Sequence, residues 1–435
     1  PKTAYDYGNY FNEWCERDTA SWIRKDRNHP SLIMWSFGNE IYDTHEANGV
    51  PITKNLSKYV RDWDPEKNAA TTIASNYMMT DGACQCAEFT DVVGYNYLER
   101  LYKEHHAKYP EWKIYGSETA STIQSRGIYH FPLSMNLLTH DDRQCSTLGN
   151  CTTTWGCEST QKVITNDRDT PFSAGQFIWT GWDYIGEPTP YNNTSKSSYF
   201  GQIDTAGFFK DTAYLYKAEW GGNRFVPFVH LLPYWDWNVG QKITVKAYTN
   251  CEEVELFVNG KSFGKQKIDH KKDMNLFGLW DVVYEKGEIK AVAYDKDGKV
   301  VAEETKHSFG DPVKIEMNPE LFQKGGSGSA CIKCLSNGNG TSHLGNMYFM
   351  DIRTVDKDGF DVSNARNVIS VKVEGDADFI CMDNGDATDY DQYVSNVRRL
   401  FGNRLLCMVR SKSETSDFTV TAYSKDLTGC KCIFK

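Results

Sequence analysis

Two glutamates close apolar runs early in the chain: Glu40 ends LIMWSFGNE (32–40) and Glu118 ends KIYGSE (113–118). A carboxyl pair of this kind suits cleavage of a glycosidic bond. When two carboxyl groups stand about 5–5.5 Å apart, one can protonate the leaving oxygen while the other attacks the anomeric carbon. A glutamate after an apolar run is, taken alone, more often a solvated charge at a strand end. Asn39, Tyr97 and Trp179 sit at the matching ends of neighbouring runs, and that recurrence makes the plain reading harder to sustain. Asp183, Glu187 and Tyr191, in WDYIGEPTPY (182–191), are candidates for substrate contacts at the rim of such a site, or equally parts of a surface loop fixed by two prolines. His45 follows Glu40 closely enough to approach a substrate or a metal, although a loop histidine is the simpler reading. The acids of DNGDATD (383–389) lack the spacing and terminal glutamate of a calcium loop and read as a turn. Trp235 and Trp237 suit interdomain packing better than sugar binding.

These residues need a scaffold that brings strand ends together. Tyr7, Tyr10, Phe11, Trp14, Cys15, Trp22 and Ile23 recur at helical spacing and predict an amphipathic helix over 7–25, stopped by DRNHP (26–30). Apolar runs then recur at 32–37, 69–74, 91–97, 113–117 and 175–184, with polar or amphipathic stretches between them. Strands alternating with helices predict a parallel sheet in an α/β protein, whose strand C-terminal ends face the active site in barrels. About five strand units fit before residue 220. Beyond residue 224 the period changes to two, as in ITVKAY (243–248) and VELFV (254–258), and Asn259–Gly260 is a hairpin signal. The chain therefore divides into an α/β unit over 1–223, a β-sandwich over 224–311 and a second β-sandwich over 312–435, with KGGSGSA (324–330) a joint or loop inside the last.

Composition agrees. The 435 residues correspond to about three domains, and no apolar run reaches the ~18 residues of a membrane-spanning helix. A net charge of −10 supplies no broad cationic face for nucleic acid, whereas 14% aromatic residues on an acidic background fit a neutral, ring-shaped ligand such as a sugar. The 13 cysteines are too few for a disulfide scaffold at this length. Cys331 and Cys334 form a C-x-x-C without the second pair a zinc site needs, and Cys145, Cys151 and Cys157 cluster where a loop disulfide is conceivable. Five Asn-x-Ser/Thr sequons stand against about four expected by chance, so the compartment stays open with a lean to the secretory route. The sequence begins at Pro1 without a signal-like segment and reads as a fragment or a processed piece.

The longer motifs carry a resemblance. DRNHPS (26–31) with SFGNE (36–40), YGSE (115–118), GQFIWTGWDYIGEPTPY (175–191), SSYFGQIDTAGFFKD (197–211), HLLPYWDWNVGQ (230–241), VELFVNGKSFG (254–264) and MDNGDATDYDQYVSN (382–396) together resemble glycoside hydrolase family 2, in particular its β-galactosidases with extra C-terminal sandwich domains. The resemblance implies an α/β plus all-β chain: about strands four to eight of a (β/α)8 TIM barrel, followed by two immunoglobulin-like β-sandwiches. It implies Glu40 as acid/base, Glu118 as nucleophile, Asn39 as a partner of the sugar 2-hydroxyl, Tyr97 as the group orienting the nucleophile and Trp179 as the floor of the sugar site. The family's earlier barrel strands and N-terminal domains have no counterpart here, which implies a longer parent protein, a homo-oligomer or association with the missing N-terminal part. No cofactor is implied beyond the Mg2+ that some relatives hold near the acid/base. The implied substrate is a terminal β-D-galactoside cleaved with retention, with no nucleic-acid or membrane partner. β-Glucuronide comes second, because Asn193 and Lys196 are one residue too far apart for the Asn-x-Lys element of glucuronidases. A non-catalytic carbohydrate-binding remnant is the reading from another class.

Overall fold

Parallel strands buried on both faces need near-continuous apolar sequence, and the apolar runs supply it. In the computed structural model, which describes residues 8–434 except 47, 134–136, 147–157, 193–194, 222–223, 273, 320–346 and 414–415, they become five strands of one sheet. In chain order the elements are α1 (Phe11–Asp26), β1 (Met34–Asn39), α2 (Gly49–Trp63), β2 (Ala70–Ser75), α3 (Asp81–Ala87), β3 (Val92–Asn96), α4 (Tyr102–Lys108), β4 (Ile114–Ala120), the short strands β5 (Leu137–Leu138) and β6 (Cys145–Ser146), α5 (Thr160–Arg168), β7 (Ser173–Trp179) and α6 (Asp211–Gly221). The sheet order is β1-β2-β3-β4-β7, with every pairing parallel. Residue contacts cluster the chain into two compact units, Pro1–Thr122 with Asn150–Thr180, and Ile123–Gly149 with Gly181–Lys435.

In the first unit the crossovers are short helices with identifiable starts. The Thr80 hydroxyl accepts from the Ala83 N–H at the start of α3, and Ser159 does the same for Lys162 at α5. Pro51 falls in the first turn of α2, where its missing N–H costs nothing. α1 packs Ile23 against Trp35 of β1, and the Trp35 indole N–H donates to buried Asp64 at 2.9 Å. The expected helix over 7–25 thus begins at Phe11, after a 3-10 turn over Gly8–Tyr10.

The second unit holds the alternating strands. Lys261–Lys267, Glu253–Val258, Glu288–Tyr294 and Val300–His307 form one antiparallel sheet, and Phe277–Val283, Lys242–Thr249 and Val229–Leu232 form a second. Val254, Leu256 and Val258 alternate into their common core, and Asn259 (φ 48°) and Gly260 (φ 78°) make the tight turn that two left-handed residues allow. Trp235 is fully buried in this core and Trp237 stacks on Tyr234 at 4.6 Å, so both serve packing. A further pair of four-stranded sheets lies between Lys314 and Phe434 around a second core that includes Ile352, Val371, Met382 and Val409. DNGDATD is a buried turn there: Asn384 donates to Asp389 at 2.6 Å, and Asp386 accepts from Thr388. Cys145 is buried against Ser125. Cys151, Cys157, the C-x-x-C of Cys331 and Cys334, the 324–330 joint and the sequons at Asn150, Asn193 and Asn339 lie outside the described residues. No described helix is long and apolar enough to cross a membrane.

Candidate active site

Parallel strands place their C-terminal residues along one edge of the sheet, and four of the five strands contribute candidate side chains there. The Glu40 N–H donates to the Ala74 carbonyl at 2.9 Å, fixing the end of β1 beside the end of β2. The Tyr97 N–H donates to the Glu118 carbonyl at 2.9 Å, doing the same for β3 and β4. Trp179, the last residue of β7, pairs in register with Ala120, and the peptide bond after it is cis. Glu40 (φ 50°) and Tyr97 (φ 57°) both occupy the left-handed region. For side chains of this size that conformation costs on the order of 1–3 kcal/mol each, a strain that accumulates at sites of function.

A buried amide gathers the polar groups. Asn96, fully buried at the end of β3, directs its side-chain nitrogen at Asn39 Oδ1 (3.0 Å), Glu40 Oε1 (3.1 Å) and Glu118 Oε2 (3.2 Å). Its own oxygen accepts from the Ser117 hydroxyl at 2.6 Å, which fixes the amide's orientation. The other Glu118 oxygen, Oε1, accepts from the Tyr97 hydroxyl. Both oxygens of Glu118 are therefore held, while Glu40 and Glu118 remain only partly buried and open to a ligand. With one nitrogen 3.1 Å from Glu40 Oε1 and 3.2 Å from Glu118 Oε2, those two oxygens lie within the sum of these distances. That bound admits the ~5–5.5 Å pair of a double displacement. Gly94 explains the close fit, since a Cβ there would meet the Ser117 side chain at 2.7 Å.

The sequence reading brought Glu40, Glu118, Asn39, Tyr97 and Trp179 to this sheet edge and missed Asn96. The available signal was a polar residue on an otherwise apolar strand, because a buried amide must find partners. Asp183 and Glu187 lie in the second compact unit and make their contacts there. The Asp183 side chain is 5% exposed, pairs with Lys210 Nζ at 2.6 Å and accepts the Gly201 N–H at 2.8 Å. Burial pushes its carboxyl up to about 6 against the pull of Lys210. Glu187 accepts from the Tyr184 hydroxyl, and the Tyr191 hydroxyl donates to the Gln144 carbonyl. Lys196 lies 3.8 Å from Asp383 and over the Tyr393 ring, and Asn193 is outside the described residues. Among the described residues no three His, Cys, Asp or Glu side chains converge as a candidate metal site.

Comparison with known proteins agrees with this architecture. Residues 6–195 match the glycosyl hydrolases family 2 TIM barrel domain, 339–432 match glycoside hydrolase family 2 C-terminal domain 5, and 240–302 match a domain of unknown function. Beta-galactosidase BoGH2A of Bacteroides ovatus is 32% identical over 98% of this chain and 52% of its own length. A putative beta-glucuronidase of Formosa agariphila is 28% identical over 96% of this chain and 40% of its own. Among solved structures, a beta-glycosidase from Bacteroides vulgatus superposes with a TM-score of 0.77 at 28% identity, covering 100% of this chain and 55% of that one. A glycosyl hydrolase family 2 member from Bacteroides cellulosilyticus gives 0.75 at 25% identity, covering 99% and 52%. The chain spans about half the length of the curated relatives it matches.

Proposed function

Since the chain belongs to glycoside hydrolase family 2, we propose that the complete protein is a retaining exo-β-glycosidase that releases terminal β-D-galactose from non-reducing ends. The observation that carries this reading is the Asn96 amide shared between Glu40 and Glu118, with the Tyr97 hydroxyl on the second Glu118 oxygen. Two donors on Glu118 hold it as an oriented carboxylate, the state a nucleophile needs. Glu118 attacks the anomeric carbon while Glu40 gives its proton to the leaving oxygen. The leaving group departs as an alcohol, and the sugar is left as an ester of Glu118. Glu40, now a carboxylate, takes a proton from water as that water displaces Glu118, so two inversions return the β configuration. In this reading Asn39, exposed at the same strand end, meets a sugar hydroxyl, and Trp179 forms the floor of the site.

Galactose is preferred over glucuronic acid on two grounds. The relative at 32% identity is named a beta-galactosidase. Lys196, the nearest match to a carboxylate-binding lysine, lies 3.8 Å from Asp383 with only 11% of its side chain exposed. Other relatives are named beta-glucuronidases, so the test carries both sugars. The complete protein, given aryl β-D-galactopyranoside and the matching glucuronide, is expected to turn over the galactoside and release β-galactose first, as followed by NMR. Initial α-galactose would overturn the mechanism, and turnover of the glucuronide alone would overturn the sugar assignment. Binding without hydrolysis would instead support a non-catalytic carbohydrate-binding protein.

Glu40→Ala gives a second expected result. Removing the proton donor lowers kcat/KM for a galactoside with a poor leaving group by about 10²–10⁴. A dinitrophenyl galactoside needs no proton, so its first step survives and the galactosyl ester accumulates. Added azide, which requires no general base, restores turnover and yields β-galactosyl azide. Equal losses on both leaving groups would remove Glu40 from the acid role.

A further inference from the structure

We propose that Tyr77, together with Tyr42 and His45, forms an aromatic shelf beside Glu40 that receives the ring of a sugar leaving group. The inference rests on Glu40 being the acid/base, because the group that protonates the leaving oxygen must stand on the leaving group's side. On the side of Asn96 and β3 away from Glu118 and β4, the ends of β1 and β2 are locked together by the Glu40 N–H to the Ala74 carbonyl. Tyr42 follows the first and Tyr77 the second. Their rings meet edge to face at 6.3 Å and 82°, and the His45 ring lies against Tyr77 at 5.0 Å and 28°. Tyr42 is 36% exposed and the His45 side chain 38% exposed, while half-buried Tyr77 rests partly on the core around Met78 and Ala83.

The shelf is preorganised rather than loose. The Tyr77 N–H donates to the Ser75 hydroxyl at 3.0 Å, and its carbonyl accepts both the N–H and the hydroxyl of Thr80 at 2.9 Å. Thr80 in turn caps α3. α3 presses on the His45 backbone closely enough that a Cβ on Gly82 would meet its carbonyl carbon at 2.9 Å. Burial first, then neighbouring Tyr42 and Glu40, raise the Tyr77 phenol above its ordinary value. A half-buried aromatic side chain, held rigid at a strand end beside the proton donor, suits the flat C–H face of a pyranose better than it suits a small alcohol. The implied substrate class is an oligosaccharide whose second sugar lies on Tyr77.

The test measures kcat/KM on two substrates that share a glycon, a β-galactosyl disaccharide and methyl β-D-galactopyranoside, using the complete protein. Tyr77→Leu keeps apolar volume and removes the ring, and the disaccharide-to-methyl ratio is expected to fall about five- to tenfold. Tyr77→Phe, which keeps the ring, is expected to preserve most of the ratio. Tyr42→Ala provides a second route to the same ratio should Tyr77→Leu fold poorly. An unchanged ratio in the variants, or loss of it in Tyr77→Phe as large as in Tyr77→Leu, overturns the shelf while leaving the glycosidase reading intact. Because the readout is a ratio, it works equally on the matching glucuronides if those are what the wild type cleaves. A wild type that cleaves neither glycon overturns the glycosidase reading and the shelf with it.

Discussion

Glu118→Gln in the complete protein is expected to lower kcat by a factor on the order of 10⁴–10⁶, the range seen when a covalent nucleophile or its partner is removed. An amide cannot form the glycosyl ester, and nothing else held at this position can replace it. The fold should survive, because Gln is isosteric and one of its two orientations keeps the carbonyl under the Tyr97 hydroxyl. The cost is local. The new NH2 then faces the Asn96 NH2, which now sits 3.2 Å from Glu118 Oε2, so two donors meet where a donor met an acceptor. A loss of about 1 kcal/mol is expected for that mismatch, visible as a small fall in the melting temperature. Rate and stability therefore separate cleanly. Residual turnover above about 1% of wild type would fall far short of this range and remove Glu118 from the nucleophile role. A 2-fluoro-galactosyl donor that labels a peptide without Glu118 would do the same by direct chemical means.

What was legible in the sequence follows from the kind of signal each feature leaves. A parallel strand leaves a contiguous apolar run, so β1 through β4 and β7 could be located. The first was placed at 32–37 and ends at Asn39, because SFGN remains extended where an apolar count has already stopped. The carboxylates were legible because each ends such a run. Asn96 was not, since its importance comes from register: it is the point where three strand ends converge on one amide, and no local spacing encodes that. Asp183 shows the opposite failure. Flanked by aromatics and followed by two prolines, it has the look of a solvent-facing loop acid, yet its partner Lys210 arrives from a distant segment of the same unit and the pair is buried. Trp235 and Trp237 look like exposed aromatics suited to interdomain packing, yet Trp235 is fully buried in the core of its own sandwich and Trp237 packs against that core. Sequence pattern thus reports elements and the ends of elements, while side-chain networks between elements depend on tertiary neighbours.

Arg126 is such a network, and it gives the largest expected change in stability. Its side chain is 8% exposed, and its Nε donates to the fully buried Asp204 carboxylate at 2.5 Å. Its Nη2 donates to the carbonyls of Asn384 (2.7 Å) and Phe401 (2.9 Å), and its guanidinium lies near the rings of Phe208 and Phe401. One side chain from the segment after β4 thereby satisfies carbonyls of the last sandwich. Arg126→Met keeps most of the volume and leaves the Asp204 charge buried without its cation, which should cost about 3–5 kcal/mol. The pH dependence identifies the cause. Burial already outweighs Arg126 and holds the Asp204 carboxyl above its ordinary value, and removing Arg126 raises it further. A carboxyl raised in the folded state binds its proton more tightly there than in the unfolded chain. Its penalty is therefore absent below the ordinary carboxyl range and grows as pH rises through the folded value. The deficit of Arg126→Met is expected to shrink as the pH is lowered from 7, measured by urea midpoints on the complete protein. Adding Asp204→Asn should recover part of the loss at pH 7 and flatten that dependence, because the orphaned charge is gone and only the Arg126 hydrogen bonds to the carbonyls remain missing. A deficit that is unchanged by both pH and the second substitution would assign the cost to lost packing against Phe208 and Phe401 instead.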